Sequence, residues 1–114
     1  MKLKEIVDMT GGAVKGCQDN EDYEIKKAFS SDLMSDVLRV EMDQTVLITG
    51  LCNIQTIRTA EMADVRIVVI TRGKVADDEM VELAIDNDVT IIETPYSTFR
   101  VSGLLYNAGL EPYY

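Results

Sequence analysis

The sequence predicts an α/β protein, a three-layer sandwich built on a mostly parallel sheet of about five strands. Three observations lead there. Between Val65 and Leu105, the valine- and isoleucine-rich run Val65 to Ile70 passes into Thr71-Arg72-Gly73, a period-3.6 segment follows, and a second apolar run, Thr90 to Glu93, stops at Thr94-Pro95. These strand runs are apolar at nearly every position, the pattern of strands covered on both faces. Each ends in small, hydroxylic or cationic residues before a helix begins, which is where open α/β sheets place their ligand sites.

The remaining elements follow in chain order. Leu3, Ile6 and Val7 fall at helical spacing, and Gly11-Gly12 supplies the left-handed cap that ends a short helix. Ala13 to Cys17 reads as a short strand and Gln18 to Asp22, with Asn20, as a turn. Glu24 to Phe29 reads as a second strand, its two lysines marking an exposed side or an edge. Ser30-Ser31-Asp32 offers N-cap side chains to a helix whose apolar stripe is Leu33, Met34, Val37, Leu38 and Val40. Asp32 and Asp36 would then share a face as solvated helix charges. Val46 to Thr49 is the next strand, and after Gly50, Asn53 caps a helix carrying Ile54, Ile57, Ala60, Met62 and Ala63. Asp77-Asp78-Glu79 opens the helix of Met80, Val81, Leu83, Ala84 and Ile85 with acids at the positive end of its dipole. Ser97 caps the last helix, which closes near Gly109, and Pro112 with two tyrosines finishes the chain. No repeat, low-complexity tract or Pro/Ser linker divides residues 1–114, so one domain is expected.

Composition narrows the function. A chain of 114 residues can bury a sizeable core without a metal or disulfide staple. A net charge of -9 argues against nucleic-acid and anionic-membrane partners, which need clustered Lys and Arg. With no histidine, and with Cys17 and Cys52 far apart, zinc sites, Ser-His-Asp and Cys-His chemistry lose their usual ligands and bases. No metal or cofactor is expected, and both thiols read as buried hydrophobes. The charged start MKLKEIVDM and the lack of a long apolar run imply a soluble, cytoplasmic protein.

Chemistry is concentrated at three corners that end alike: Thr49-Gly50, Thr71-Arg72-Gly73, and Thr94-Pro95-Tyr96-Ser97-Thr98. Parallel strands would bring all three to one edge. Helix N-termini there present free N–H groups, threonine and serine hydroxyls add donors, and Arg72 adds a bidentate cation, so phosphate or carboxylate is the natural guest. The expected ligand-binding set is Thr49, Gly50, Asn53, Thr71, Arg72, Gly73, Thr94, Ser97 and Thr98. The alternative is structural: threonines that close strands, glycines that permit tight turns, and Arg72 paired with a neighbouring acid such as Asp77. One exposed helix terminus contributes about 0.3–1 kcal/mol to anion binding, whereas micromolar affinity needs about 8 kcal/mol, so several corners must converge. Neither GxxxxGK[ST] nor GxGxxG occurs.

Ile70-Thr71-Arg72-Gly73, followed by acids, an apolar helix and Thr94-Pro95-Tyr96-Ser97-Thr98-Phe99, resembles the DRTGG domain, including the N-terminal domain of HPr kinase/phosphorylase. Ala13 to Gly16, Ala28 to Met34 and Val46 to Gly50 resemble the family's earlier blocks, so the likeness covers almost the whole chain. The Asp-Arg pair expected after Ile48-Thr49-Gly50 is here Leu51-Cys52-Asn53, and the later Thr-Gly-Gly is Thr71-Arg72-Gly73. Asp8, Thr10, Gly11 and Gly12 look like the family name but stand in a different block. The resemblance implies a parallel α/β regulatory or accessory module, fused to CBS domains, family II pyrophosphatases or phosphotransacetylases, or standing alone. The P-loop kinase chemistry of HPr kinase belongs to a separate domain. The expected function is therefore a non-catalytic module binding a nucleotide or other phosphorylated metabolite, with a homodimer and an enzyme partner as expected assemblies. The alternative is an interaction or dimerisation module without a small ligand, using Met9, Met42, Tyr106, Tyr113 and Tyr114. An enzyme using Asp32 and Asp36, or Asp77 to Glu79, is the remotest reading.

Overall fold

The computed structural model describes residues 1–38 and 42–114. Its elements are α1 (Leu3–Thr10), β1 (Ala13–Gly16), β2 (Lys27–Ser30), α2 (Met34–Val37), β3 (Thr45–Thr49), α3 (Ile54–Met62), β4 (Ile67–Ile70), α4 (Asp78–Asp86), β5 (Thr90–Glu93), α5 (Thr98–Asn107) and β6 (Glu111–Pro112). The strands form one six-stranded sheet in the order β1-β5-β4-β3-β2-β6. Every pairing is parallel except β1 with β5, where Ala13 faces Glu93 and Gly16 faces Thr90.

The expected α/β fold with a mostly parallel sheet is the observed one. Every residue of β3 and β4 is buried, because helices cover both sides and the alternating side chains divide between two cores. Leu47, Val68, Ile70 and Ile91 pack with Met34, Val37, Ile57, Ala60, Met80 and Ala84 of α2, α3 and α4. Val46, Ile48, Ile67, Val69 and Ile92 pack with Leu3, Ile6, Val101 and Leu105 of α1 and α5. The local signals hold at the helix ends. Gly11 closes α1 with φ 61°, and Asn53, Asp77 and Ser97 cap α3, α4 and α5 by accepting from Thr56, Met80 and Arg100 amides.

Five expectations are corrected. The second strand begins at Lys27 rather than Glu24, and it is not an edge: β6 pairs with Lys27 and Ala28. The sheet gains that sixth strand from the C-terminal residues read as a tail, where the Tyr113 amide also donates to the Ala28 carbonyl at 3.1 Å. The helix after β2 is a single turn capped by Leu33 without a side-chain bond; the Ser31 hydroxyl accepts from the Leu33 amide instead. Leu38, Met62 and Ile85, expected in helix cores, are exposed, whereas Met42 is fully buried. Val40 lies outside the described residues. Cys17 is buried, but Cys52 is only partly so.

The polar stretch read as a loop contains one buried amide. Asn20 is 4% exposed, and its Nδ2 donates to the Asp88 carbonyl at 2.9 Å, Thr90 Oγ1 at 3.0 Å and the Arg66 carbonyl at 3.3 Å. It ties the loop after β1 to the entrances of β4 and β5. Truncating it leaves acceptors without their donor, a loss worth about 1–3 kcal/mol. Asn20→Ala is expected to lower the urea midpoint accordingly with an unchanged denaturant slope; a shift of under about 0.5 kcal/mol would show the contacts to be dispensable.

Candidate functional site at the strand ends

The C-terminal ends of β2, β3, β4 and β5 share one edge, and the start of antiparallel β1 joins them. The chain leaves β4 toward the face of α4 and leaves β5 toward the face of α5. Adjacent parallel strands whose connections depart to opposite faces define a topological switch point, the place where an open sheet leaves a crevice for a ligand. Here that point lies between Thr71-Arg72-Gly73 and Thr94-Pro95-Tyr96.

The corners meet. The Thr71 hydroxyl lies 2.7 Å from the Thr98 hydroxyl, and the Thr71 amide donates to the Thr49 carbonyl at 3.1 Å. The Arg72 amide donates to the Tyr96 carbonyl at 2.8 Å and the Gly73 amide to the Thr94 carbonyl at 2.9 Å. The Thr94 hydroxyl donates to the Thr10 carbonyl at 2.6 Å and accepts from the Tyr96 amide at 3.1 Å. Thus Thr49, Thr71, Arg72, Gly73, Thr94 and Thr98 form one network. Asn53 and Ser97 stand beside it as exposed helix caps.

The donors have internal partners. Asp32, sequence-adjacent to α2, turns to the β3 corner, where its Oδ1 accepts from the Gly50 amide at 2.7 Å and from the Thr49 hydroxyl at 3.0 Å. The chain's own carboxylate therefore occupies the Thr49-Gly50 corner. The Gly50 amide holds the Asp32 carboxyl below the usual carboxylate range; burial opposes this, while the Thr49 hydroxyl and the charges of Lys74 and Arg72 reinforce it. Among the described residues, Asp36 makes no hydrogen bond at this corner. Glu93 is likewise engaged, accepting from the Ala76 amide at 2.6 Å and pairing with Lys15 at 3.0 Å.

The cations remain. Arg72 is exposed and has φ 66°, a conformation uncommon for a long side chain and one that persists where surrounding contacts impose it. The two amide bonds to the β5–α5 loop impose it here. Arg72 forms no ion pair among the described residues, with Asp77 or any other acid. Lys74 reaches back to the Gly50 carbonyl, and the Arg100 guanidinium stacks 3.6 Å from the Tyr96 ring centroid. Arg100 therefore points at this edge. A cavity of about 260 Å³ opens beside it, lined in part by Gly11, Gly73, Lys74, Glu93 and Thr94. Asp32, Lys74 and Tyr96 were outside the expected site; an acid two residues past the end of β2 was the available signal for the first. Burial raises the Cys52 thiol pKa, which disfavours a thiolate nucleophile. Among the described residues, no cluster of acids or cysteines could hold a metal ion, and no helix is long and apolar enough to cross a membrane.

A family model for the DRTGG domain matches residues 5–108. The chain belongs to the DRTGG domain family. Comparison with curated proteins yields no match. Among solved structures, the chain is similar to the CBS and DRTGG domains of the regulatory region of Clostridium perfringens pyrophosphatase, complexed with its activator diadenosine tetraphosphate. The TM-score is 0.79 at 20% identity, over 91% of this chain and 45% of that one, so the shared property is the fold. This DRTGG domain spans less than half of that structure's chain.

The Asp32 contacts carry a pH signature. Its folded pKa is depressed, so its contribution is present above the ordinary aspartate value near pH 4 and is lost as pH falls through the lower folded value. The stability difference between the parent and Asp32→Asn is expected to be constant above about pH 5 and to shrink on acidification below it. A difference independent of pH in urea titrations would show that the charge is irrelevant to this corner.

Proposed function

We propose that this DRTGG domain is a non-catalytic regulatory module that binds a nucleotide or other phosphorylated metabolite at the β4/β5 end of the sheet. The observation that carries the reading is Arg72: a guanidinium without an ion pair among the described residues, held in a left-handed conformation at the switch point of a chain with net charge -9. Lys74, Arg100 and the start of α5 add positive potential around it, which addresses the need for several weak contributions at once. Thr49, Gly50, Thr71, Gly73, Thr94 and Thr98 serve as the frame, while Asn53 and Ser97 order the helix starts. Support also comes from the similar pyrophosphatase regulatory region, which holds a dinucleotide activator.

Thermal-shift titration with adenine and guanine nucleotides and diadenosine tetraphosphate tests this. The parent is expected to be stabilised by at least one of them, and Arg72→Ala to lose about tenfold or more in affinity, as for a charge-assisted contact. Arg72→Gly relieves the left-handed backbone while adding unfolded-state freedom, so its unliganded stability should stay within about 1 kcal/mol of the parent. Failure of every nucleotide to shift the parent would sink the reading.

A second reading, an interaction or dimerisation module, is favoured by α5. Phe99 is 89% and Tyr106 68% exposed on this helix, where Arg100 is the sole charged residue. Tyr114 is also exposed, beside a groove of about 250 Å³ lined by Phe29, Tyr106 and Tyr113. Sedimentation equilibrium should then show concentration-dependent association that Phe99→Ser weakens; a monomer at every concentration would refute it. Such a surface would suit a homodimer or an enzyme partner.

A further inference from the structure

The Asp32 carboxylate poses a problem for any purely anionic guest, because it places a negative charge beside the proposed phosphate groups. Its geometry resolves the problem. Oδ1 takes both internal bonds, from the Gly50 amide and the Thr49 hydroxyl. Oδ2 takes no hydrogen bond from the described residues, and Asp32 is exposed. A Cβ built on Gly50 would stand 3.5 Å from each carboxylate oxygen and 3.6 Å from Thr71 Oγ1. The carboxylate and the Thr71–Thr98 hydroxyl pair therefore lie side by side at the end of β3 and β4. The cations stand near enough to lower the Asp32 pKa, yet none forms an ion pair with it.

We infer that Asp32 reads the ribose hydroxyls of a ribonucleotide, its fixed Oδ1 orienting the carboxylate and its free Oδ2 accepting from the vicinal diol, while the phosphates extend toward Arg72 and Lys74. The inference rests on the phosphorylated-ligand reading above and narrows it to a ligand with hydroxyl donors at one end and phosphates at the other. The division of charge matches such a molecule. An acid following one strand takes neutral donors, and cations following a strand farther along the edge take the anion. Strands β2 and β4, which precede the acid and the cations, lie two inter-strand spacings apart, about 9–10 Å, a length that a ribose with its phosphate chain can bridge. An acid at a strand end that accepts from ribose hydroxyls is a general solution in open α/β sheets. Here it also gives a role to the bond that ties Asp32 to Gly50: the carboxylate is set at the edge, with Oδ2 taking no hydrogen bond from the described residues.

The test compares ATP, 2′,3′-dideoxy-ATP and inorganic tripolyphosphate by calorimetry on the parent, Asp32→Asn and Arg72→Ala proteins. The asparagine amide oxygen can keep the Gly50 and Thr49 bonds, while its NH2 replaces the accepting Oδ2. The parent is expected to bind ATP about tenfold or more tightly than dideoxy-ATP, the range of one hydrogen bond to a charged group. In Asp32→Asn that ratio should fall to within about threefold, and tripolyphosphate should bind at least as tightly as to the parent because a repelling charge is gone. A purely structural role would weaken ATP and dideoxy-ATP equally and leave their ratio intact, overturning the inference. Equal binding of both by the parent, with Arg72→Ala weakening both, overturns the ribose assignment and leaves the anion site standing. No binding of any of the three probes overturns this inference, and nucleotide failure across the wider panel overturns the underlying reading as well.

Discussion

The central strands of a sheet covered by helices on both faces can meet water only at their ends. In β4, at the sheet's centre, Ile67, Val68, Val69 and Ile70 are all fully buried, and neighbouring β3 is the same from Thr45 to Thr49. No side chain of these strands is free for chemistry. Polar and charged side chains that meet solvent at this end belong to the residues that follow them, and the opposed departures of the chain after β4 and β5 mark the switch point of the edge.

At that edge polar groups divide into two classes. The hydroxyls are engaged: Thr49 with Asp32, Thr71 with Thr98, Thr94 with Thr10. Buried polar atoms need partners, so threonines packed against a strand end become framework. The long cations escape this rule because their heads reach solvent. Arg72 is projected by a left-handed backbone that its neighbours enforce, and Arg100 lies flat on Tyr96. The result is a hydrogen-bonded rim of hydroxyls and amides with cationic side chains at its surface.

Asp32 connects the two classes. It fills the anion position at Gly50 with the chain's own carboxylate, while its Oδ2 takes no hydrogen bond from the described residues. The Asp-Arg pair after Gly50 that the family resemblance led us to expect is absent, and Leu51-Cys52-Asn53 stands in its place. An acid two residues after β2 and a cation two residues after β4 sit at the same edge. They come from separate corners of the fold instead of from adjacent residues.

The features legible in the sequence were those encoded over a few residues. Apolar runs predicted β3, β4 and β5, and Asn53, Asp77, Ser97 and Gly11 predicted helix ends, because a cap bonds two or three residues away and a buried strand needs apolar neighbours on both faces. The DRTGG resemblance was legible for the same reason, its motifs being short strand-end segments. Only the tertiary structure decided where those ends point. Asp32 bonds a residue 18 positions away, Asn20 one 70 away and Thr94 one 84 away. The antiparallel turn of β1 and the addition of β6 beside β2 likewise depend on strand order. Such partners follow from which strands become neighbours once two apolar faces are buried together, and no local spacing contains that choice.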